Sequence, residues 1–315
     1  MTPAEKLIPP DINTADIRAG RHTVHLTNLQ KAFWSRPKVT KGDLIRYYAS
    51  ISRWLLPHLR DRAMVMKRYP NGASGEFFFM KNVPEPHPPW LTVCPIKHSQ
   101  GNVVKFPVVD DLASLLWTVN LGCIDLNQWY ARCDDVHKPD YLHFDLDPVT
   151  GASFPRVCES ALLLRDALKA QGMPSFAKTT GSRGIHVYVP IKRGPLQEDV
   201  WRYSKAFAMH VAEMHPKIIT AVYAKSKRPK GHVLIDYNQN AWARTLASVY
   251  SVRPSKRPTV SAPVTWRELE RGVRIEDFRI DNMADRLKKV GDLWKPLLAR
   301  TGRVDLEKHI SSQSG

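Results

Sequence analysis

The chain has 315 residues, 43% of them hydrophobic, enough to bury a full core as one large domain or two intimate halves. Lys plus Arg number 47 against 30 Asp plus Glu, a formal net charge of +17, and such an excess favours a phosphate-bearing partner over a merely soluble basic surface. The first ten residues hold an early acid and Pro9-Pro10 where a signal peptide needs an unbroken apolar run, and no stretch is long enough to span a bilayer, so a protein without membrane contact is expected.

In chain order, residues 1–20 read as a loosely ordered arm. Thr40–Leu56 reads as a helix capped by Thr40, with Leu44, Tyr47, Tyr48, Ile51 and Leu55 on one face. Phe77-Phe78-Phe79 alone suggests a strand with one or two rings in the core. The run Pro84–Pro89 has polyproline character and is expected to set an N-terminal segment apart, and Pro254–Pro263 is a second proline-rich connector. Cys94, Cys123, Cys133 and Cys158 are too widely spaced for a CxxC pair or a zinc pattern, and read as reduced, mostly buried thiols.

The stretch Asp140–Pro148 is the most telling. Its period-2 alternation sends Leu142, Phe144 and Leu146 to one face and Asp145 and Asp147 to the other. Two carboxylates side by side need a compensating cation, and hard oxygen ligands at this spacing favour Mg²⁺ or Mn²⁺. A helix follows over Ser153–Gln171, where Ser153 can cap, Pro155 suits the first turn, Val157, Ala161, Leu164 and Leu168 share a face and Gly172 stops it.

Next comes Lys178–Pro190, a small polar loop opening a strand at Ile185–Pro190. Gly181 and Gly184 would let backbone N–H groups approach phosphate oxygens, Thr180, Ser182 and Arg183 would supply hydroxyls and a guanidinium, and His186 shares the open face. A helix is expected from Asp199 to about Met214, with Val200, Tyr203, Phe207 and Val211 inward. The cationic loop Lys225–Gly231 leads into a strand at Val233–Tyr237 whose polar face carries Asp236. Beyond it Asn240, Arg244 and Arg253 punctuate a segment with a further expected strand, Leu246–Val252, and the arginines can neutralise β- and γ-phosphates. Residues 306–315 end the chain in an expected tail.

Strands alternating irregularly with helices argue an α+β fold with a mainly antiparallel sheet, and no GxGxxG or Walker-type loop is present. Asp145, Asp147 and Asp236 could converge on divalent ions. Each also has a neutral reading: Asp147-Pro148 could open a turn, and Asp236 could cap or pair with Arg253.

The order of three pieces resembles the archaeo-eukaryotic primase superfamily, and within it the primase-polymerases related to the polymerase domain of the bacterial end-joining DNA ligase. His143–Pro148 is similar to that family's first motif, Thr180–His186 to its second and Val233–Asn240 to its third. The likeness continues in Leu26–Asn28, Lys67–Gly72, Phe78–Asn82 and Asp285–Trp294, so it spans roughly residues 20–300. The resemblance implies two modules around a cleft, with residues 21–305 as the catalytic domain. It implies Asp145, Asp147 and Asp236 as ligands of two Mn²⁺ or Mg²⁺ ions, and Lys67, Thr180, Ser182, Arg183, His186, Arg244 and Arg253 around the incoming nucleotide. It also assigns Asn28, Lys31 and Lys41 to a downstream 5′-phosphate and Phe78 and Phe79 to template bases. Asn127 stands where the family often has His, Thr180 where it has Ser and Arg183 where it has Lys.

The implied activity is template-dependent addition of nucleotides, preferably ribonucleotides, to a primer 3′-end in short gaps or breaks, with NTPs or dNTPs as substrates. The implied setting is the bacterial cytoplasm and nucleoid, alongside repair proteins such as a DNA ligase or an end-binding protein. No ligase nucleotidyl-lysine motif or phosphoesterase module is seen, which suggests a stand-alone polymerase or a domain excised from a larger one. The rival readings are a metal-dependent nuclease, a non-catalytic DNA end-binding module and, more distantly, a DxD glycosyltransferase.

Overall fold

A computed structural model describes residues 7–98 and 101–311. They divide into two compact units: unit 1 comprises the described residues up to 134 with 247–261 and 278–292, and unit 2 comprises 135–246, 262–277 and 293–311.

Unit 1 opens with the hairpin β1 (Ala15–Ala19) and β2 (His22–Leu26), so part of the segment expected to be a loose arm is a paired strand that buries Ile17 and Ala19. A second hairpin, β3 (Ala32–Ser35) and β4 (Lys38–Thr40), runs into helix α1 (Lys41–Leu59). Thr40 and Asp43 form a reciprocal capping box, Asp43 N donating to Thr40 Oγ1 at 3.1 Å and Thr40 N to Asp43 Oδ2 at 2.7 Å. All five apolar residues expected on the inner face of this helix are buried.

Strands β5 (Met64–Arg68) and β6 (Phe78–Met80) follow, then the hairpin β7 (Val93–Lys97) and β8 (Val103–Pro107), helix α2 (Leu112–Asn120), β9 (Cys123–Gln128) and the short β10 (Ala131–Arg132). β5 is the centre of a three-stranded sheet between β6 and β9. The proline run 84–89 therefore lies inside unit 1, between strands of the same unit, and not at a boundary.

Cys94, on β7, and Cys133, one residue after β10, form a disulfide across 39 residues of sequence, with Cα atoms 5.8 Å apart. This corrects the expectation of four reduced thiols. Only Cys123 and Cys158 are free, and both are buried. Spacing along the chain excludes a CxxC motif but is blind to a pair that tertiary folding brings together.

Unit 2 begins with β11 (Asp135–Pro139) and β12 (Tyr141–Pro148), followed by α3 (Phe154–Ala170), β13 (Phe176–Thr179), β14 (Ile185–Pro190), α4 (Gln197–Met214), β15 (Ile219–Thr220) and β16 (Val233–Asp236). α3 buries its four expected core residues and has Pro155 in its first turn, although the Ser153 side chain makes no capping hydrogen bond. The chain then returns to unit 1 with β17 (Val252–Arg253) and β18 (Thr259–Val260), and to unit 2 with β19 (Pro263–Val264) and α5 (Trp266–Arg271). Helix α6 (Met283–Val290) belongs to unit 1 and α7 (Leu306–Ser311), where a tail was expected, to unit 2.

The expected strand Leu246–Val252 shrinks to Val252–Arg253. Tyr250 has a positive φ of 62°, and Ser251 N donates back to Ser248 O at 3.2 Å, a turn that no continuous strand accommodates.

The six-stranded sheet of unit 2 runs β15-β16-β12-β14-β13-β19, antiparallel throughout except for the β15–β16 pair, in keeping with the expected α+β class. Its central strand is β12, whose Leu142, Phe144 and Leu146 are fully buried, as the alternation required.

Candidate active site

Strand register brings the acidic residues of unit 2 together. β12 and β16 are antiparallel with Asp145 opposite Asp236, and Asp147 lies two residues further along the same face. Directly opposed residues in such a pair have Cβ atoms roughly 4.5–5.5 Å apart, and like charges there destabilise the pairing. The repulsion is visible at Asp147. The neighbouring Asp145, reinforced by burial and by Asp236, pushes its carboxyl up from 3.8 to about 7, while the guanidiniums of Arg183 and Arg228 pull the other way.

Asp236 ends β16 and starts a 3₁₀ turn, Tyr237–Asn240. Its carboxylate accepts from Asn238 N and Gln239 Nε2, both at 2.9 Å, so its capping role is real. Arg253, the other partner expected for it, belongs to unit 1, where its Nε lies 3.4 Å from Asp125 Oδ2. Asn240 clamps β12 instead of reaching outward, accepting from His143 N at 3.1 Å and donating to His143 O at 2.6 Å.

Among the described residues no group of three His, Cys, Asp or Glu is arranged as a preformed metal cage. The donor set nonetheless suits a hard divalent cation: it is all carboxylate oxygen, crowded enough that Asp147 holds a proton near neutral pH, and a cation would relieve that crowding.

The loop before β14 is built differently from its sequence reading. Thr180 is buried and its Oγ1 accepts from the N–H groups of Ser182, Arg183 and Gly184 at 3.1, 3.2 and 3.0 Å. The hydroxyl and the Gly184 N–H are thus spent on the turn. Gly181 takes a positive φ of 67°. Gly184 is required because a Cβ there would overlap the carbonyl oxygen of Leu146 on β12. Ser182 and Arg183 are exposed at the tip, as is Arg244. His186 is buried, with Nδ1 2.7 Å from Lys178 Nζ and Nε2 3.2 Å from Asp145 Oδ1. His143 is also fully buried and is kept neutral by that burial, with its ring 5.1 Å from Tyr188.

Unit 1 carries cations and aromatics. Lys67 on β5 is the register partner of Asp125 on β9, and Arg253 Nε lies 3.4 Å from Asp125 Oδ2. Burial lowers the Lys67 pKa, Asp125 supports its charge and Arg253 opposes it. The Lys67 ammonium sits 4.0 Å from the centre of the Phe77 ring. Phe77, Phe78 and Phe79 are all exposed, against the expectation that one or two would enter the core, and Arg68 lies over Phe78 at 5.1 Å. Asn127 is buried with Nδ2 donating to Asp125 O at 3.0 Å.

A second basic cluster surrounds the start of α1. Asn28 has a positive φ of 55° and its carbonyl accepts from Lys31 N at 3.0 Å, Lys31 O accepts from Lys41 N at 2.8 Å, and Lys31 Nζ donates to Asn71 Oδ1 at 3.2 Å. Lys41 is buried and donates to Thr27 O at 2.7 Å; burial, then Lys31, then Arg68, push its pKa down to about 8. Sequence reading did not single out three participants, Lys178, Asp125 and Arg68, whereas Arg228 lies in the cationic loop Lys225–Gly231 already marked as leading to Asp236. Lys178 and Asp125 each stand as a charge within an apolar run, Phe176-Ala-Lys-Thr and Cys123-Ile-Asp-Leu, which is the signal that was available.

Residues 40–294 match the family model described as LigD, primase-polymerase domain. The chain is 32% identical over 276 residues to the multifunctional non-homologous end joining protein LigD of Mycolicibacterium smegmatis, covering 87% of this chain and 36% of that protein. It is 29% identical over 270 residues to the bifunctional non-homologous end joining protein LigD of Bacillus subtilis, covering 85% and 43%. The chain thus spans well under half the length of these curated relatives. The solved polymerase domain of Mycobacterium tuberculosis ligase D in complex with DNA matches with a TM-score of 0.82 and 30% identity, over 88% of this chain and 98% of that one.

Proposed function

The chain belongs to the LigD primase-polymerase family, and from that premise we propose that it is a template-dependent nucleotidyltransferase that extends a primer 3′-end across short gaps or breaks in DNA. The observation that carries this reading is the pairing of Asp145 with Asp236 across β12 and β16, with Asp147 beside them, in a chain of net charge +17. Residues 21–305 are taken as the catalytic domain.

In the reaction the primer 3′-hydroxyl gives up its proton to solvent and its oxygen attacks the α-phosphorus of the incoming nucleotide; an O–P bond forms, the bond to the bridging oxygen breaks, and pyrophosphate leaves with its charge. Mn²⁺ or Mg²⁺, held by Asp145, Asp147 and Asp236, would supply charge neutralisation at the attacking and leaving oxygens. The remaining work belongs to side chains. Exposed Ser182, Arg183 and Arg244 of unit 2 are assigned to the triphosphate. Thr180 acts indirectly, by fixing the turn that presents Ser182 and Arg183. In unit 1, Lys67 and Arg253, held by Asp125, are the candidate phosphate contacts.

The cluster of Asn28, Lys31 and Lys41 fits a 5′-phosphate, since crowded cations gain from a dianion as crowded carboxylates gain from a metal. Phe78 and Phe79, exposed on β6, fit unpaired template bases. Preference for ribonucleotides and for Mn²⁺, and a repair ligase or end-binding protein as partner, are carried by family resemblance. So is a bacterial cytoplasmic setting; no helix among the described residues is long and apolar enough to cross a membrane.

The test is pyrophosphate release from a gapped duplex with a downstream 5′-phosphate, given Mn²⁺ or Mg²⁺ and each NTP or dNTP singly. Release only with the nucleotide complementary to the template base supports the reading. Shortening of the primer would establish a nuclease instead, and tight binding without chemistry an end-binding module.

A further inference from the structure

Two concave surfaces of unit 1 adjoin at the tip of the β3–β4 hairpin. One, of about 700 Å³, is lined by Arg36 and Lys38, by Arg257 and by Arg279 with Asp281. The other, of about 400 Å³, runs from Arg36 past Trp34 and Ser74 to Lys256. Arg36 lines both, which makes them one groove.

Three backbone segments build it. Ser35 pairs with Lys38 across the hairpin, which puts Arg36 at its turn. Arg257 lies in the turn that joins β17 to β18, and Thr259 of β18 is bridged to Arg279. Trp34 Nε1 donates to Ser255 O at 2.9 Å and Ile280 N to Pro258 O at 3.0 Å, so hairpin, turn and bridge are hydrogen-bonded into one frame.

The groove is one-signed. Arg36, Lys38, Lys256 and Arg257 are exposed, and among the described residues none of the four is ion-paired. The one carboxylate lining it, Asp281, is already held by Arg279, Nε to Oδ1 at 3.0 Å. Val39 and Pro258 give it an apolar floor, and cations over such a low-dielectric wall focus positive potential into the cleft. The ring-bearing residues that line it, Phe33 and Trp34, are buried and offer no platform for stacking a base. A run of phosphates, recognised without regard to sequence, is the ligand that fits, and the guanidinium forks of Arg36 and Arg257 suit it.

The same hairpin starts at the cluster of Asn28, Lys31 and Lys41, where Lys41 N donates to Lys31 O at 2.8 Å. From Lys31 to Arg36 is five residues of chain, a reach of roughly 16 Å when extended. Each strand of a DNA duplex carries one phosphate per roughly 3.4 Å of axis, so that reach corresponds to about five base pairs. We propose that the groove binds the backbone of the duplex downstream of the gap, about four to six base pairs beyond the 5′-phosphate. The inference rests on the reading of Asn28, Lys31 and Lys41 as the 5′-phosphate site.

The test is fluorescence anisotropy of the full chain on a gapped, 5′-phosphorylated duplex, with the dissociation constant followed against salt. Arg36→Ala/Lys38→Ala/Arg257→Ala is expected to weaken binding and to lower the slope of log Kd against log salt by about 2–3, thermal unfolding confirming that it is folded. Neutral methylphosphonates on both strands about four to six base pairs from the 5′-phosphate are expected to lower the wild-type slope and to leave the triple variant unchanged, whereas those about ten to twelve base pairs away leave both unchanged. A triple variant with the wild-type slope, or near and far methylphosphonates that act equally on the wild type, overturns the groove while the 5′-phosphate site stands. If removing the 5′-phosphate leaves wild-type affinity unchanged, the reading of that site fails and takes the placement of the duplex with it.

Discussion

The carboxylates of unit 2 and the lysines of unit 1 are both crowds of like charge, but they are held in different ways. Asp145, Asp147 and Asp236 have short side chains on paired strands, so backbone register sets their mutual positions. Lys31 and Lys41 carry their charges on long side chains from a turn and a helix start, the first exposed and the second buried, and their ends are held by hydrogen bonds to Asn71 and Thr27. Each cluster holds a group whose titration is displaced in the direction that weakens its charge: Asp147 is pushed up to about 7, first by Asp145 and then by burial, and Lys41 down to about 8, first by burial and then by Lys31. On the assignments proposed above, a ligand of opposite sign would relieve each cluster, a metal ion the one and a phosphate the other. The acidic cluster should be intolerant of small displacements and the basic one forgiving.

The largest expected effect breaks that comparison at its rigid end. Asp145→Glu keeps the charge and adds one methylene, and a misplacement of that order should lower the primer-extension rate about 10²-fold, read from single-turnover kinetics. A loss of only a few-fold would mean that register does not define the site. Phe79→Ala should come next, weakening binding to a single-stranded template by about 1–3 kcal/mol in fluorescence anisotropy. Joint replacement Lys31→Ala with Lys41→Ala should cost about tenfold, or ~1.4 kcal/mol, on 5′-phosphorylated gaps and little on unphosphorylated ones. Equal loss on both would remove the phosphate assignment. Because Lys41 carries its charge only below about pH 8, the wild-type preference for phosphorylated gaps should fade as pH rises through that value.

The smallest expected effect is on stability. Asp147 binds its proton more tightly in the folded chain than in the unfolded one, so between about pH 4 and about pH 7 the native state holds more protons and stability falls as pH rises. Thermal unfolding of the metal-free protein should show that decline, and Asp147→Asn should flatten it.

The acidic strand was legible in the sequence because alternation is a one-strand property: Leu142, Phe144 and Leu146 had to face away from Asp145 and Asp147. Helices α1, α3 and α4 were legible because their apolar spacing, helped at α1 by the Thr40 cap and at α3 by Pro155, acts within a few turns. What needed two or more segments was not. Lys178 belongs to the acidic row only through the registers of β13, β14 and β12, and a single strand does not reveal its neighbours. Gly184 looked like a phosphate-cradling glycine, whereas its constraint is the Leu146 carbonyl on another strand. The Cys94–Cys133 bond was invisible for the same reason. At Leu246–Val252 the apolar pattern was misread because a positive φ at Tyr250 interrupts it.

The most direct test of the central claim is primer extension on a short gapped duplex with a downstream 5′-phosphate, comparing wild type with Asp145→Ala/Asp147→Ala at equal DNA occupancy. Templated extension by the wild type, abolished in the double variant while DNA binding is kept or tightened by the loss of negative charge, is the predicted result. Undiminished extension by the double variant would contradict the account.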